Sequence, residues 1–277
     1  MGNNTGEAGS GECMILAFQE GLVPGESIAA KLEWLAVHGI DGIELNGHEL
    51  PRRLPEIKAG LARFPVQATA ICGGYRGWLV GDDSEEQSHF LADMQTLLEC
   101  AAELGAKGVI APAIWGTSHY LPLPKRKSSP EQDRNMLIRN LEILGSYADS
   151  LGVTVLLEPL NRYQAHCINT IGEALEIMEL VSSPGAGLIA DLFHMNMEES
   201  DPLGSLARAD RRLAYVHLSD SNRKLPGLGH IDFAAVFAQL HQMGFKGAAS
   251  VEALPPDRTE QLSICANYLV SLGDQLK

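Results

Sequence analysis

Short apolar runs alternate with amphipathic stretches along the whole chain. The runs cover residues 13–18, 42–45, 66–72, 108–111, 153–158, 187–191, 213–217 and 248–252. Each is short and nearly continuously apolar, as expected of a parallel strand buried on both faces. Between them, apolar residues return at helical spacing. Ile28, Leu32, Leu35 and Ala36 do so within 26–38, and Leu91, Met94, Leu97 and Leu98 within 87–104. Phe233, Val236, Phe237 and Leu240 follow i, i+3, i+4, i+7 after Asp232, a helix-capping residue. Gly105 is placed to end the second of these helices. Further helices are predicted at 51–63, 131–151, 171–181, 202–209 and 260–276. Eight strand–helix alternations imply an α/β protein with a parallel sheet. Eight such units close into a single (β/α)8 TIM barrel, although a doubly wound sheet shares the pattern. With no linker or second domain in sight, a single barrel domain is expected over 13–277. Residues 1–12 are Gly-rich and polar, lack the apolar core of a signal peptide, and are expected to form a disordered leader.

The last four runs end in Glu158, Asp191, His217 and Glu252, which lie 33, 26 and 35 residues apart. Each step is the size of one strand-plus-helix unit. In a (β/α)8 barrel the C-terminal strand ends converge on one face, where the chemistry sits. A single strand-end carboxylate is ordinarily a helix cap or a surface charge. Four acid or imidazole residues in register at successive strand ends are not explained by caps. Three carboxylates and one imidazole make an oxygen-rich donor set that suits Mn²⁺, Mg²⁺ or Co²⁺, and Zn²⁺ can also use it. One divalent metal ion is therefore the expected cofactor, with Mn²⁺ first in order.

Other residues flank these ends. His194 follows Asp191 by three residues in what reads as a loop, and Arg223 lies in the polar loop after the seventh run. Glu44 and His48 flank the second run and are assigned to general pocket polarity. Trp115 sits in a polar, Pro-containing loop over 112–130, long enough to be functional. There it would line a pocket and stack on a substrate, or serve as a packing or oligomer contact.

Composition narrows the partners. A formal charge of −14 argues against nucleic acid, which demands concentrated Lys and Arg. Five cysteines without a C-x-x-C pair fit reduced thiols and a cytoplasmic location. No apolar run has the length of a membrane helix, so no membrane partner is expected. A small-molecule substrate is the expected partner of such a metal centre, with assembly into a homo-oligomer left open.

The residues around the four ends carry a family likeness. They read Glu158-Pro159-Leu160-Asn161-Arg162-Tyr163, Ile168-Asn169-Thr170, Asp191-Leu192-Phe193-His194-Met195-Asn196 and His217-Leu218-Ser219-Asp220-Ser221-Asn222-Arg223. Pro226-Gly227, Gly229-His230-Ile231-Asp232-Phe233 and Ser250-Val251-Glu252 complete the set. Over 153–255 this closely resembles the D-tagatose 3-epimerase branch of the xylose-isomerase-like TIM-barrel superfamily, with its keto-sugar-acid epimerases. The first half matches by architecture alone. The resemblance implies that Glu158, Asp191, His217 and Glu252 ligate the metal and that Glu158 and Glu252 also carry protons. It implies that His194 and Arg223 bind the carbonyl end of the substrate. Gln164 stands where the family often has Glu, so it can hydrogen-bond a hydroxyl but cannot act as a base.

The expected activity is metal-dependent isomerisation or epimerisation of a ketose or keto-sugar acid next to its carbonyl, by two-base proton transfer. An aldose–ketose isomerase or an inosose dehydratase would share the metal and the base pair. An AP-endonuclease-like phosphodiesterase would need further ligands on the early strands. A non-catalytic sugar-binding protein would not need both glutamates.

Overall fold

The computed structural model describes residues 14–117 and 128–276. The expected leader, Cys13 and the centre of the loop assigned to 112–130 lie outside these residues. Within them, eight parallel strands close into a barrel in sequence order. They are β1 (Ile15–Gln19), β2 (Gly42–Asn46), β3 (Gln67–Cys72), β4 (Gly108–Pro112), β5 (Thr154–Glu158), β6 (Ala186–Asp191), β7 (Leu213–Leu218) and β8 (Ala248–Val251). Closure is made by β1 on β8, with Ile15 opposite Ala248 and Phe18 opposite Val251. The barrel, not the doubly wound sheet, is the architecture.

Helices α1 (Ile28–Val37), α2 (Leu50–Leu61), α3 (Ser84–Leu104), α4 (Pro130–Ser150) and α5 (Ile171–Met178) follow β1 to β5. After β6 come α6 (Leu192–Glu198) and α7 (Pro202–Ala209), then α8 (Phe233–Gln242) after β7 and α9 (Glu260–Asp274) after β8. Their starts are set by side-chain caps. Ser27, Asp83 and Asp232 accept first-turn N–H groups, and Ser129 with Gln132 and Thr170 with Glu173 form capping boxes. Gly105 ends α3 in the left-handed conformation, at φ 68°.

Helix α6 is an addition to the sequence reading, which placed His194 in a loop. Seven residues are too few for a clear apolar period. What starts the helix is Asp191, whose Oδ1 accepts the N–H groups of Phe193 (2.7 Å) and His194 (3.2 Å).

The apolar interior has two layers. The larger lies between strands and helices. The smaller fills the barrel and is built from Ala70, Ile110, Leu156, Ile189, Tyr215 and Ala248. Burying a side chain such as Leu156 or Ile189 contributes about 1.5–3 kcal/mol. The inner layer also fixes the site. Side chains of a strand alternate faces, so residues two apart share one. Leu156 therefore carries Glu158 inward with it, Ile189 carries Asp191, and Tyr215 carries His217. The candidate ligands are the next layer of the barrel interior, stacked on its apolar plug.

Candidate metal centre

Glu158 and Asp191 end β5 and β6, His217 is the penultimate residue of β7, and Glu252 follows β8 by one position. Each offers a donor atom, and the four atoms all lie within 4.8 Å of one another. Among the described residues this is the one such group of four. His217 is its hub and is fully buried. Its Nδ1 faces Glu252 Oε2 at 2.7 Å, Glu158 Oε1 at 3.1 Å and Asp191 Oδ2 at 3.7 Å. Its Nε2 faces the other way, to Glu44 Oε2 at 2.9 Å. Glu44 is itself buried and accepts from Gln19 Nε2 at 2.8 Å. Glu44 thus fixes the ring so that Nδ1 points at the three carboxylates, the usual outer-partner arrangement of a ligating histidine. His48 is exposed and takes no part.

Arg223 joins the cluster from the loop after β7. Its Nη1 donates to Asp191 Oδ2 at 2.6 Å, and Nη2 lies 2.7 Å from Glu252 Oε2. Its guanidinium also covers the Phe193 ring at 4.8 Å. His194 is buried, and its tautomer follows from its partners. The backbone N–H of Asn161 (3.1 Å) and the Asn161 side-chain amide (2.7 Å) both donate to Nδ1. Asn161 Oδ1 accepts from Tyr163 N, which identifies the other amide atom as the donor. Nδ1 is therefore unprotonated and Nε2 carries the hydrogen, a neutral donor 3.8 Å from Asp191 Oδ2. Burial reinforces this by pushing the His194 pKa down.

The electrostatics separate the carboxylates. Burial pushes Glu158 up to about 7 against the pull of His217. Burial acts the same way on Asp191, but Arg223, His194 and His217 outweigh it and hold the group well below the usual carboxylate range. Glu252 is also lowered, because His217 and Arg223 overcome its burial. His217 is raised well above an ordinary histidine: burial opposes its charge, and Glu252 and Glu44 more than compensate.

The donor set fits a divalent cation on two counts. Four carboxylates, Glu44 included, face the imidazole of His217, the neutral imidazole of His194 and one guanidinium, which leaves the centre rich in negative charge. Glu252 Oε2 is buried and, although close to both His217 and Arg223, forms no well-directed hydrogen bond. A buried carboxylate oxygen without such a bond is suited to a metal.

A cleft of about 360 Å³ opens above the cluster. Glu158, Glu252, His194, Arg223, Gln164 and Trp115 all line it, together with Cys72, Tyr75 and Trp78. The structure thus brings every substrate-side residue singled out in the sequence to one cavity. Trp115 is 54% exposed and pairs with Trp78 at 6.1 Å between ring centroids. The carbonyl of Gln164 accepts from the N–H groups of Gly116 (2.9 Å) and Thr117 (3.1 Å), tying the Trp115 loop to the β5 loop. Larger hollows beside α4 and α5 and beneath the barrel contain none of these residues. Glu44 is the member sequence reasoning placed too loosely. The available signal was its position within β2, two residues before the strand ends, facing inward like the ligands.

A parallel barrel with carboxylates and an imidazole converging at the C-terminal ends of β5 to β8 defines a (β/α)8-barrel protein with a candidate single-metal centre. The chain belongs to the xylose isomerase-like TIM barrel family, whose model matches residues 32–264. It is 37% identical over 224 residues to the 3-dehydro-D-guloside 4-epimerase of Escherichia coli (strain K12), covering 80% of this chain and 85% of that protein. It is 33% identical over 138 residues to the D-psicose 3-epimerase of Enterocloster bolteae, a match covering 50% of this chain and 46% of that protein. The crystal structure of an E. coli 3-keto-D-glucoside 4-epimerase in its apo form superposes with a TM-score of 0.87. That match has 33% identity and covers 94% of this chain and 98% of the other. These relatives are sugar epimerases, enzymes of the isomerase class.

Proposed function

We propose that this protein is a metal-dependent carbohydrate epimerase that inverts a carbinol carbon next to a ketone. The observation that carries the reading is the convergence of Glu158 and Glu252, from the non-adjacent strands β5 and β8, on one buried centre beneath a sugar-sized cleft. Both glutamates serve as ligands and proton carriers, with Asp191 and His217 as the remaining ligands. A divalent cation held there, Mn²⁺ by preference for so oxygen-rich a set, supplies Lewis-acid stabilisation of the charge that develops on the ketone oxygen. Glu158 and Glu252 face opposite sides of the reacting carbon. One removes the proton, and the other returns a proton to the opposite face. Arg223 and the Nε2–H of His194 donate to substrate oxygens and fix the carbonyl end. Gln164 binds a hydroxyl, and Trp115 packs on the sugar face.

The relative that is 37% identical over 85% of its length is a 4-epimerase of a 3-dehydro-glycoside, whereas a probable ketose 3-epimerase, matched over 74% of its length, is 26% identical. That difference favours a ring-closed keto-glycoside over a free ketose as substrate. The reaction would run on a protein without disulfides among the described residues, in the cytoplasm. The test is an NMR screen of 3-keto-glycosides, ketoses and keto-sugar acids with the Mn²⁺-loaded protein in D₂O. Solvent deuterium should enter at the carbon beside the ketone while the epimer accumulates. Absence of exchange from every keto-sugar would overturn the reading.

A further inference from the structure

The loop between β7 and α8 is organised by a carboxylate that is no member of the donor set. Asp220 is fully buried three residues beyond His217. Its Oδ1 accepts the N–H groups of Ser221 (2.8 Å) and Ile231 (3.2 Å), and its Oδ2 accepts that of Gly227 (2.9 Å). Its backbone closes a tight turn. Asp220 N donates to Lys224 O at 3.0 Å, and Arg223 N donates to Asp220 O at 2.9 Å. Gly229 lies so close over the carboxylate that a Cβ there would sit 2.1 Å from Asp220 Oδ1.

Inside this turn Arg223 adopts φ 60°, the left-handed region that side-chain-bearing residues rarely enter. Such a conformation persists only when its surroundings over-determine it. Here both ends of the loop and its middle are tied to one side chain. A charged acceptor is suited to the task, because its hydrogen bonds to N–H groups are stronger than those of a neutral amide and both its oxygens accept. From that backbone position the Arg223 guanidinium reaches Asp191 and Glu252.

We infer that Asp220 is a positioning residue for the reaction: its cage of backbone hydrogen bonds holds Arg223 in the left-handed conformation that delivers the guanidinium to the centre. The inference rests on Arg223 being the substrate clamp proposed above. Asp220 is outside the four-residue centre and does not line the cleft, so it acts through Arg223 alone.

The test compares wild type, Asp220→Asn, Arg223→Ala and the double variant, each loaded with Mn²⁺ and assayed on the same keto-sugar, with crystal structures of the first two. Asp220→Asn should lose roughly a hundredfold in kcat/KM, the scale of a misplaced positioning group. The loss should divide between kcat and KM as it does for Arg223→Ala, and the double variant should be no worse than Arg223→Ala. The Asp220→Asn structure should show Arg223 out of the left-handed region and parted from Asp191. A merely structural role would lower kcat with KM unchanged and add to the Arg223→Ala defect. Either that pattern, or an Arg223 still near φ 60° with both contacts intact, overturns the inference. If Asp220→Asn does not fold, Gly229→Ala presses a methyl on the same carboxylate and should reproduce the pattern. If the wild type turns over no keto-sugar, the proposed function fails, while the pair of structures still decides what Asp220 does to Arg223.

Discussion

Glu44 Oε2 lies 2.9 Å from His217 Nε2, behind the ring and away from the cleft. That contact decides which nitrogen of His217 faces Glu158, Asp191 and Glu252. Glu44→Gln keeps the shape but removes the charge that raises the basicity of the ring. Affinity for Mn²⁺ should fall about 10–100-fold, the usual effect of losing an outer partner of a ligand. Calorimetric titration with Mn²⁺ measures it, and an unchanged Kd would remove Glu44 from the centre's support.

The four-residue centre should bind one divalent ion per chain. Since the folded state alone assembles the donors, binding should stabilise the protein by about 2.7 kcal/mol when free metal is a hundred times Kd. Elemental analysis after reconstitution and dialysis gives the stoichiometry, and thermal unfolding with and without chelator gives the stabilisation. A protein with no bound metal and the same melting temperature in both conditions would contradict the assignment.

The proton carriers should be separable. Glu158→Gln and Glu252→Gln each keep an oxygen donor but lose a proton acceptor. Each should lower epimerisation by about 10²–10⁴-fold, the contribution of a positioned acid–base group. In each variant one epimer should keep exchanging its proton with D₂O, because the base on that face survives. Near-normal epimerisation in either metal-loaded variant would replace the two-base scheme with one base or a hydride shift.

Asp220 should leave a signature in the pH dependence of stability. Backbone N–H groups outweigh its burial and hold its carboxyl below the usual range in the folded state. A depressed folded pKa means that the carboxylate stabilises the fold above the unfolded value, about 3.9. That contribution disappears as pH falls through the folded pKa. The stability deficit of Asp220→Asn should therefore be largest near neutrality and shrink below about pH 4. Urea titrations of both proteins across pH 3–7 test it; a deficit independent of pH would mean that the charge of Asp220 contributes nothing.

Much of this architecture was legible in the chain because it depends on local rules. Apolar runs, helical periods and the caps at Asp232 and Gly105 mark where elements begin and end. The strand period of two then ties Glu158 to Leu156, Asp191 to Ile189 and His217 to Tyr215, so a residue at a strand end inherits the inward face of its neighbour. Closure of the barrel brings those ends together, and the donor set follows from the sequence once eight repeats are counted. Helix α6 escaped because seven residues carry too little periodicity, and its start depends on Asp191 acting as cap as well as candidate ligand.

What the tertiary structure alone decided are contacts between residues far apart in sequence. Glu44 and His217 are 173 positions apart, and only the closed barrel sets them side by side. The tautomer of His194 comes from Asn161 on a different strand's loop. The reach of Arg223 to Asp191 depends on a backbone conformation that no propensity favours for arginine and that the cage around Asp220 imposes. Sequence determines which groups sit on which face of which element, because that is a matter of local period. Orientation, protonation and charge balance are settled by distances of a few ångströms across the barrel, where burial strengthens every interaction between groups the chain order keeps apart.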